Sequence, residues 1–191
     1  INTPGSCYGS TGPQSQNPQT KKAYGPDFPV LGIRDIVHME QYLLNHLQIN
    51  SIQCAIGGSM GGMIALEFAL IDPRIQRAFL MAMGKAHTAW SIGLSHLQRQ
   101  AIYQDPHWMS GWYTADAPPS QGLSLARQIG MMTYRSPEDY ETKFGRDIRE
   151  ITNHPYYQVE SYLDYQGQKL NKRFDALSYE RLTRSMDTHD I

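Results

Sequence analysis

The chain has 191 residues and only two cysteines, Cys7 and Cys54. Two thiols are too few for a disulfide framework, so the small, stapled secreted class is excluded and a reducing compartment, the cytoplasm, is expected. Charge of either sign is also scarce. Seventeen basic against eighteen acidic side chains leave a net charge of −1, without the basic excess of a nucleic-acid binder. No run reaches the roughly 18–20 apolar residues that a membrane span requires. The opening Ile1-Asn2-Thr3-Pro4-Gly5 has no methionine, basic region or apolar stretch of a signal peptide, so no membrane partner is expected. Metal-ligand spacing is missing too: there is no H-E-x-x-H, no C-x-x-C and no histidine pair four apart. No bound cofactor or metal is expected. A chain that starts Ile-Asn-Thr-Pro and ends Thr188-His189-Asp190-Ile191 is expected to be cut from something longer.

What is present is Gly57-Gly58-Ser59-Met60-Gly61-Gly62. Before it lies the apolar Ile52-Gln53-Cys54-Ala55-Ile56, of strand length, in which Cys54 is expected to be a buried thiol. After it lies Met63 to Leu70, built largely from helix formers. A G-x-S-x-G between a strand and a helix is a nucleophile elbow, in which a sharp turn lifts the serine above the sheet. Such a turn crowds backbone against backbone, and a side chain at Gly57 or Gly61 is expected to collide. Ser59 is the candidate nucleophile. The N–H of Met60, at the helix N-terminus, is the candidate oxyanion donor. No Gly-Lys-Ser/Thr follows and G-x-G-x-x-G spacing is not met, so a nucleotide loop is not supported.

Residues 1–32 are rich in turn formers and read as a long ordered loop. A helix is predicted over 33–47, with Ile33, Ile36, Val37, Leu43, Leu44 and Leu47 inward and Arg34, Asp35, Glu40 and Gln41 outward; His38 and His46 are expected to face solvent. Strands are predicted at 51–56 and 78–83, with a helix between them that ends near Asp72-Pro73. Strand, helix, strand at this spacing makes a parallel βαβ unit and an α/β class. Past residue 85 no strand is predicted. Helices are expected over 90–104, 121–133, 137–151, 158–173 and 176–187, with Ser136-Pro137-Glu138-Asp139 as a helix start. The resulting division is a partial α/β core over 1–85 and a helical lid over 86–191.

A serine nucleophile needs a base and an orienting acid. His87, His96, His107, His154 and His189 fall in helical or turn-rich sequence, and none is assigned that role. Arg127 is set between apolar turns of a predicted helix, where a planar fork suits a substrate carboxylate. Tyr134 follows seven residues on, along the same face. A snorkelling arginine and a core tyrosine fit that spacing as well.

Several segments together resemble the homoserine O-acetyltransferase family. They are Cys7-Tyr8-Gly9-Ser10-Thr11-Gly12-Pro13, Phe28-Pro29-Val30 with Ile33-Arg34-Asp35, the elbow, Thr133-Tyr134-Arg135-Ser136, Val159 to Gly167, and Met186-Asp187-Thr188-His189-Asp190. The resemblance runs over nearly all 191 residues. It implies an α/β-hydrolase fold with an inserted helical lid. It also implies ping-pong acetyl transfer from acetyl-CoA, as co-substrate, to the hydroxyl of L-homoserine in methionine biosynthesis. It implies an acetyl ester on Ser59, substrate binding by Arg127 and Tyr134, and a homodimer formed through the lid. It further implies that the triad acid and histidine lie beyond Ile191, so that the chain alone is inactive and marginally stable. The related readings are a serine O-acetyltransferase, a homoserine succinyltransferase or an esterase of the same fold. If the short chain is the natural product, it is a non-catalytic dimerisation module.

Overall fold

Ile33, Ile36, Val37 and Leu44 recur at helical spacing, and in the computed structural model, which describes residues 1–191, they form the buried stripe of α1 (Ile33–His46). The helix starts where the Asp35 carboxylate accepts the Gly32 N–H at 2.9 Å, satisfying one of the donors a helix N-terminus leaves open. His38 and His46 are exposed as expected, but Glu40 is not: it is buried on the inner face, and burial holds its carboxyl above the usual range.

Strand β1 covers Ala55–Gly58, later than the predicted 51–56. Its pairing with β2 (Ala78–Met81) is parallel and runs from Ala55 opposite Ala78 to Gly58 opposite Met81. The strand therefore continues through both glycines, which strand propensity disfavours. Ile52 makes only an isolated bridge to Ile75. Cys54 is exposed rather than buried. Between the strands, α2 (Met60–Ile71) packs Met63, Ile64 and Phe68 against the stripe of α1. Fully burying such side chains is worth about 1.5–3 kcal/mol each. At the edges of this contact, Arg34 donates twice to Glu67 (3.0 and 2.9 Å), and Arg74 pairs with the buried Asp72 at 2.6 Å.

The remaining helices are α3 (Ala89–Tyr103), α4 (Ser120–Met132), α5 (Pro137–Phe144), α6 (Gln158–Asn171) and α7 (Ala176–Asp187). Ser136 caps α5 by accepting the Asp139 N–H at 3.2 Å. The predicted helix over 137–151 is cut short, because Gly145 takes φ +47° and ends α5. A hairpin that sequence periodicity missed follows: β3 (Ile148–Ile151) pairs antiparallel with β4 (Pro155–Tyr157).

The chain divides into two compact units, residues 1–92 with 180–191 and residues 93–179. Residues 180–191, grouped by sequence with the lid, belong to the first unit. There they bring Met186 onto the α1–α2 core and pair Asp190 with Ala86. The first 28 residues form an ordered loop in this same unit, held in part by Arg181, which donates to the carbonyls of Pro26 and Phe28 at 2.8 Å each. The second unit has its own core, built from Ile102 of α3, Leu123 and Ala126 of α4, Leu170 of α6 and Ala176 of α7.

Candidate active site

Ser59 sits at the junction of β1 and α2 with φ 53° and ψ −126°. A non-glycine residue in this region stores about 1–3 kcal/mol of strain, which the surrounding structure must hold. Here the Ser59 N–H donates to the Met81 carbonyl at 2.9 Å, and its own carbonyl accepts from Gly62 and Met63 at 2.8 and 3.1 Å. The turn is thus tied to β2 on one side and to α2 on the other.

Serine at a helix N-cap normally turns its hydroxyl onto the helix N–H groups. Ser59 does not, and its side chain makes no cap bond. The residue is exposed, so the hydroxyl is free for chemistry. Met60 is the first residue of α2, and its N–H has no carbonyl within the helix to bond. That N–H, at the positive end of the helix dipole, can stabilise an oxyanion.

The glycines divide differently from expectation. A Cβ at Gly57 would strike the Gly61 carbonyl and come within 2.7 Å of the Gly62 nitrogen. At Gly62 it would meet Met83 Cγ at 2.7 Å and two carbonyl oxygens at 3.2 Å. At Gly61, by contrast, nothing lies within 4 Å. Gly57 and Gly62 are therefore the steric requirement of the elbow. Gly61, expected to collide, is not.

Arg127 and Tyr134 are brought together in the second unit. The Arg127 guanidinium donates from Nη1 to the Tyr134 hydroxyl at 3.0 Å, and its carbon stands 5.0 Å from the ring centroid. Arg127 is half-buried and forms no salt bridge with a carboxylate. Two neighbouring residues escaped sequence reasoning. Tyr179, on α7, donates its hydroxyl to Gln98 Oε1 on α3. Burial holds that hydroxyl far above the usual tyrosine range; Tyr134 adds to the effect and Arg127 opposes it.

The histidines are placed as follows. His87 Nδ1 lies 3.0 Å from Asp187 Oδ1, a pairing across 100 residues that no local pattern signals. His189 is buried, with Nε2 3.2 Å from the Gly84 carbonyl. Neither ring bonds the Ser59 hydroxyl. A cavity of about 360 Å³ in the first unit is lined by Glu40, Leu44, Cys54, Gly61, Ile64 and Phe68, among others, and Ser59 does not line it.

This elbow, between a parallel strand pair and a packed helix, has a family match. The family described as "alpha/beta hydrolase fold" matches residues 1–179. The chain belongs to the alpha/beta hydrolase fold family. Among the curated relatives of this hydrolase-fold chain is a homoserine O-acetyltransferase of Nostoc punctiforme, 50% identical over 188 residues, covering 98% of this chain and 52% of the relative. Among solved structures, homoserine O-acetyltransferase from Bacillus anthracis matches with a TM-score of 0.86 and 27% identity, over 95% of this chain and 50% of that one. Esterase E22 matches with a TM-score of 0.82 and 26% identity, over 95% and 51%. The hydrolase-fold chain thus spans about half the length of the curated relatives it matches.

Proposed function

We propose that the chain is part of a homoserine O-acetyltransferase of methionine biosynthesis, working by a ping-pong route with Ser59 as nucleophile. The observation that carries the chemistry is the elbow: a strained, exposed serine whose hydroxyl caps nothing, beside an uncommitted helix N–H. The relatives' names carry the choice of acceptor. In the first half-reaction the Ser59 oxygen attacks the acetyl-CoA thioester, the C–S bond breaks, and CoA leaves as the thiol with the serine proton. The Met60 N–H steadies the oxyanion. In the second, the homoserine hydroxyl attacks the acetyl-serine, the ester bond to Ser59 breaks, and the proton returns to Ser59.

Arg127 and Tyr134 hold the amino acid, the guanidinium fork taking the carboxylate. The base and acid that activate Ser59 come from residues outside 1–191, a reading supported by the unbonded Ser59 hydroxyl and by the half-length match. The exposed Ile56 and Phe79 of the two-stranded sheet support a sheet that continues in the complete protein. The complete protein acts as a cytoplasmic homodimer. Exposed Leu125 and Met132 on α4 and Tyr165 on α6 supply an apolar face for that contact.

A second reading, an esterase with water as acceptor, has the likeness to esterase E22 behind it. The test follows CoA release from acetyl-CoA by the complete reading frame, with and without L-homoserine, beside Ser59→Ala. Release that needs both homoserine and Ser59 supports the transferase. Release indifferent to homoserine overturns it in favour of the esterase.

A further inference from the structure

Arg127 and Gly130 lie one turn apart near the end of α4, and Tyr134 follows two residues past the helix, where its hydroxyl accepts from Arg127. Gly130 is where two other helices meet α4. A Cβ there would lie 3.2 Å from Gln98 Oε1 on α3 and 3.5 Å from the Tyr179 hydroxyl on α7. These two groups are hydrogen-bonded to each other, so their bond lies across the α4 backbone between the two residues of the arginine–tyrosine pair. Gln98 is held at its other end as well, its Nε2 donating to the Leu94 carbonyl at 3.1 Å. The Tyr179 ring is seated against Phe174, edge to face, with centroids 6.2 Å apart.

We infer that Tyr179 is a positioning residue for the acceptor amino acid: its bond to Gln98, laid across Gly130, fixes the register of Arg127 and Tyr134. The inference rests on reading that pair as the acceptor clamp. Because the hydroxyl keeps its proton throughout the working pH range, it remains a donor, and the Gln98 oxygen is committed to it. Glycine at position 130 leaves the crossing unpressed; a Cβ there would push the Gln98 amide aside by a few tenths of an ångström. Without the hydroxyl, a partly buried amide oxygen loses its partner one turn from Arg127, and α4 shifts or Gln98 turns toward the clamp.

The test uses the complete enzyme and separates the two half-reactions, with Arg127→Gln as reference. Tyr179→Phe is expected to raise the homoserine KM about tenfold, the size of one lost hydrogen bond, while kcat and the rate of Ser59 acetylation stay within about twofold. Gly130→Ala is the second variant. It adds a better helix former, so thermal stability should hold or rise, yet its Cβ presses on Gln98 and the homoserine KM should still rise severalfold. A merely structural role would lower stability and slow both half-reactions together, and that result overturns the inference. So does an unchanged homoserine KM in Tyr179→Phe while Arg127→Gln raises it; should Tyr179→Phe not fold, Gly130→Ala decides by the same criteria. If Arg127→Gln also leaves the KM unchanged, the clamp reading itself fails and the inference falls with it.

Discussion

The two units hold their candidate residues in different ways. In residues 1–92 with 180–191, the candidate nucleophile is set by its own turn: five neighbours along the chain and one strand dictate where Ser59 points. In residues 93–179 the candidate pair is Arg127 on α4 and Tyr134 just past its end, beside a junction of three helices formed by residues 98, 130 and 179. A local turn pinned to one neighbouring strand sets the first candidate site, and packing among helices sets the second. The two should therefore fail differently when residues are exchanged.

The sharpest contrast is expected at Ser59. Ser59→Ala in the complete enzyme should reduce transfer by roughly four orders of magnitude, the scale of losing a nucleophile that acts as a unit with its base. Its thermal midpoint should hardly move, since the hydroxyl bonds nothing in the fold. An activity loss accompanied by unfolding would erase the distinction between chemistry and scaffold here.

Next in size is the pair of elbow glycines. Gly57→Ala forces a methyl group into the Gly61 carbonyl and should cost about 3 kcal/mol or more. Gly61→Ala meets open space, and the helix gains a better former, so stability should hold or improve slightly. Chemical denaturation of the two variants side by side decides this. Equal losses would mean that the crowding at Gly57 is relieved by movement of the turn.

Arg127→Gln tests the other unit. Losing a charge-assisted fork on a carboxylate should raise the homoserine KM roughly 10- to 100-fold, with acetylation of Ser59 by acetyl-CoA unaffected. A drop in the acetylation rate instead would assign Arg127 to the donor.

The smallest effect belongs to Asp72, whose carboxyl the Arg74 guanidinium holds well below its usual value. A carboxylate with a lowered folded value stabilises the fold above its unfolded value, about 4, and loses that contribution as pH falls toward the folded one. Asp72→Asn should therefore flatten the acid limb of stability below about pH 4, which unfolding midpoints across pH will show. An unchanged limb would mean that other carboxylates govern it.

How legible each unit was follows the same division. The elbow, α1, α2 and the parallel pairing could be read from glycine spacing and apolar period, because those signals act over a few residues. The first strand begins four residues and ends two residues later than predicted, because β1 runs through glycines that strand propensity disfavours. The inward face of Glu40 was missed because a charged residue at an inward position reads as solvent-facing. The 148–157 hairpin was hidden by a helical composition that Gly145 interrupts. In the second unit, helix positions were readable and the Arg127–Tyr134 spacing was visible, yet their junction with Gln98 and Tyr179 spans 81 residues and leaves no local pattern. His87 with Asp187 is a similar case in the first unit.

The most direct measurement is peptide mass mapping of the complete enzyme after brief exposure to acetyl-CoA without an acceptor. One acetyl group on the peptide carrying Ser59, removed when L-homoserine is added, is the expected result. An acetyl group on another residue, or transfer to homoserine with Ser59 never modified, would contradict the role of the elbow.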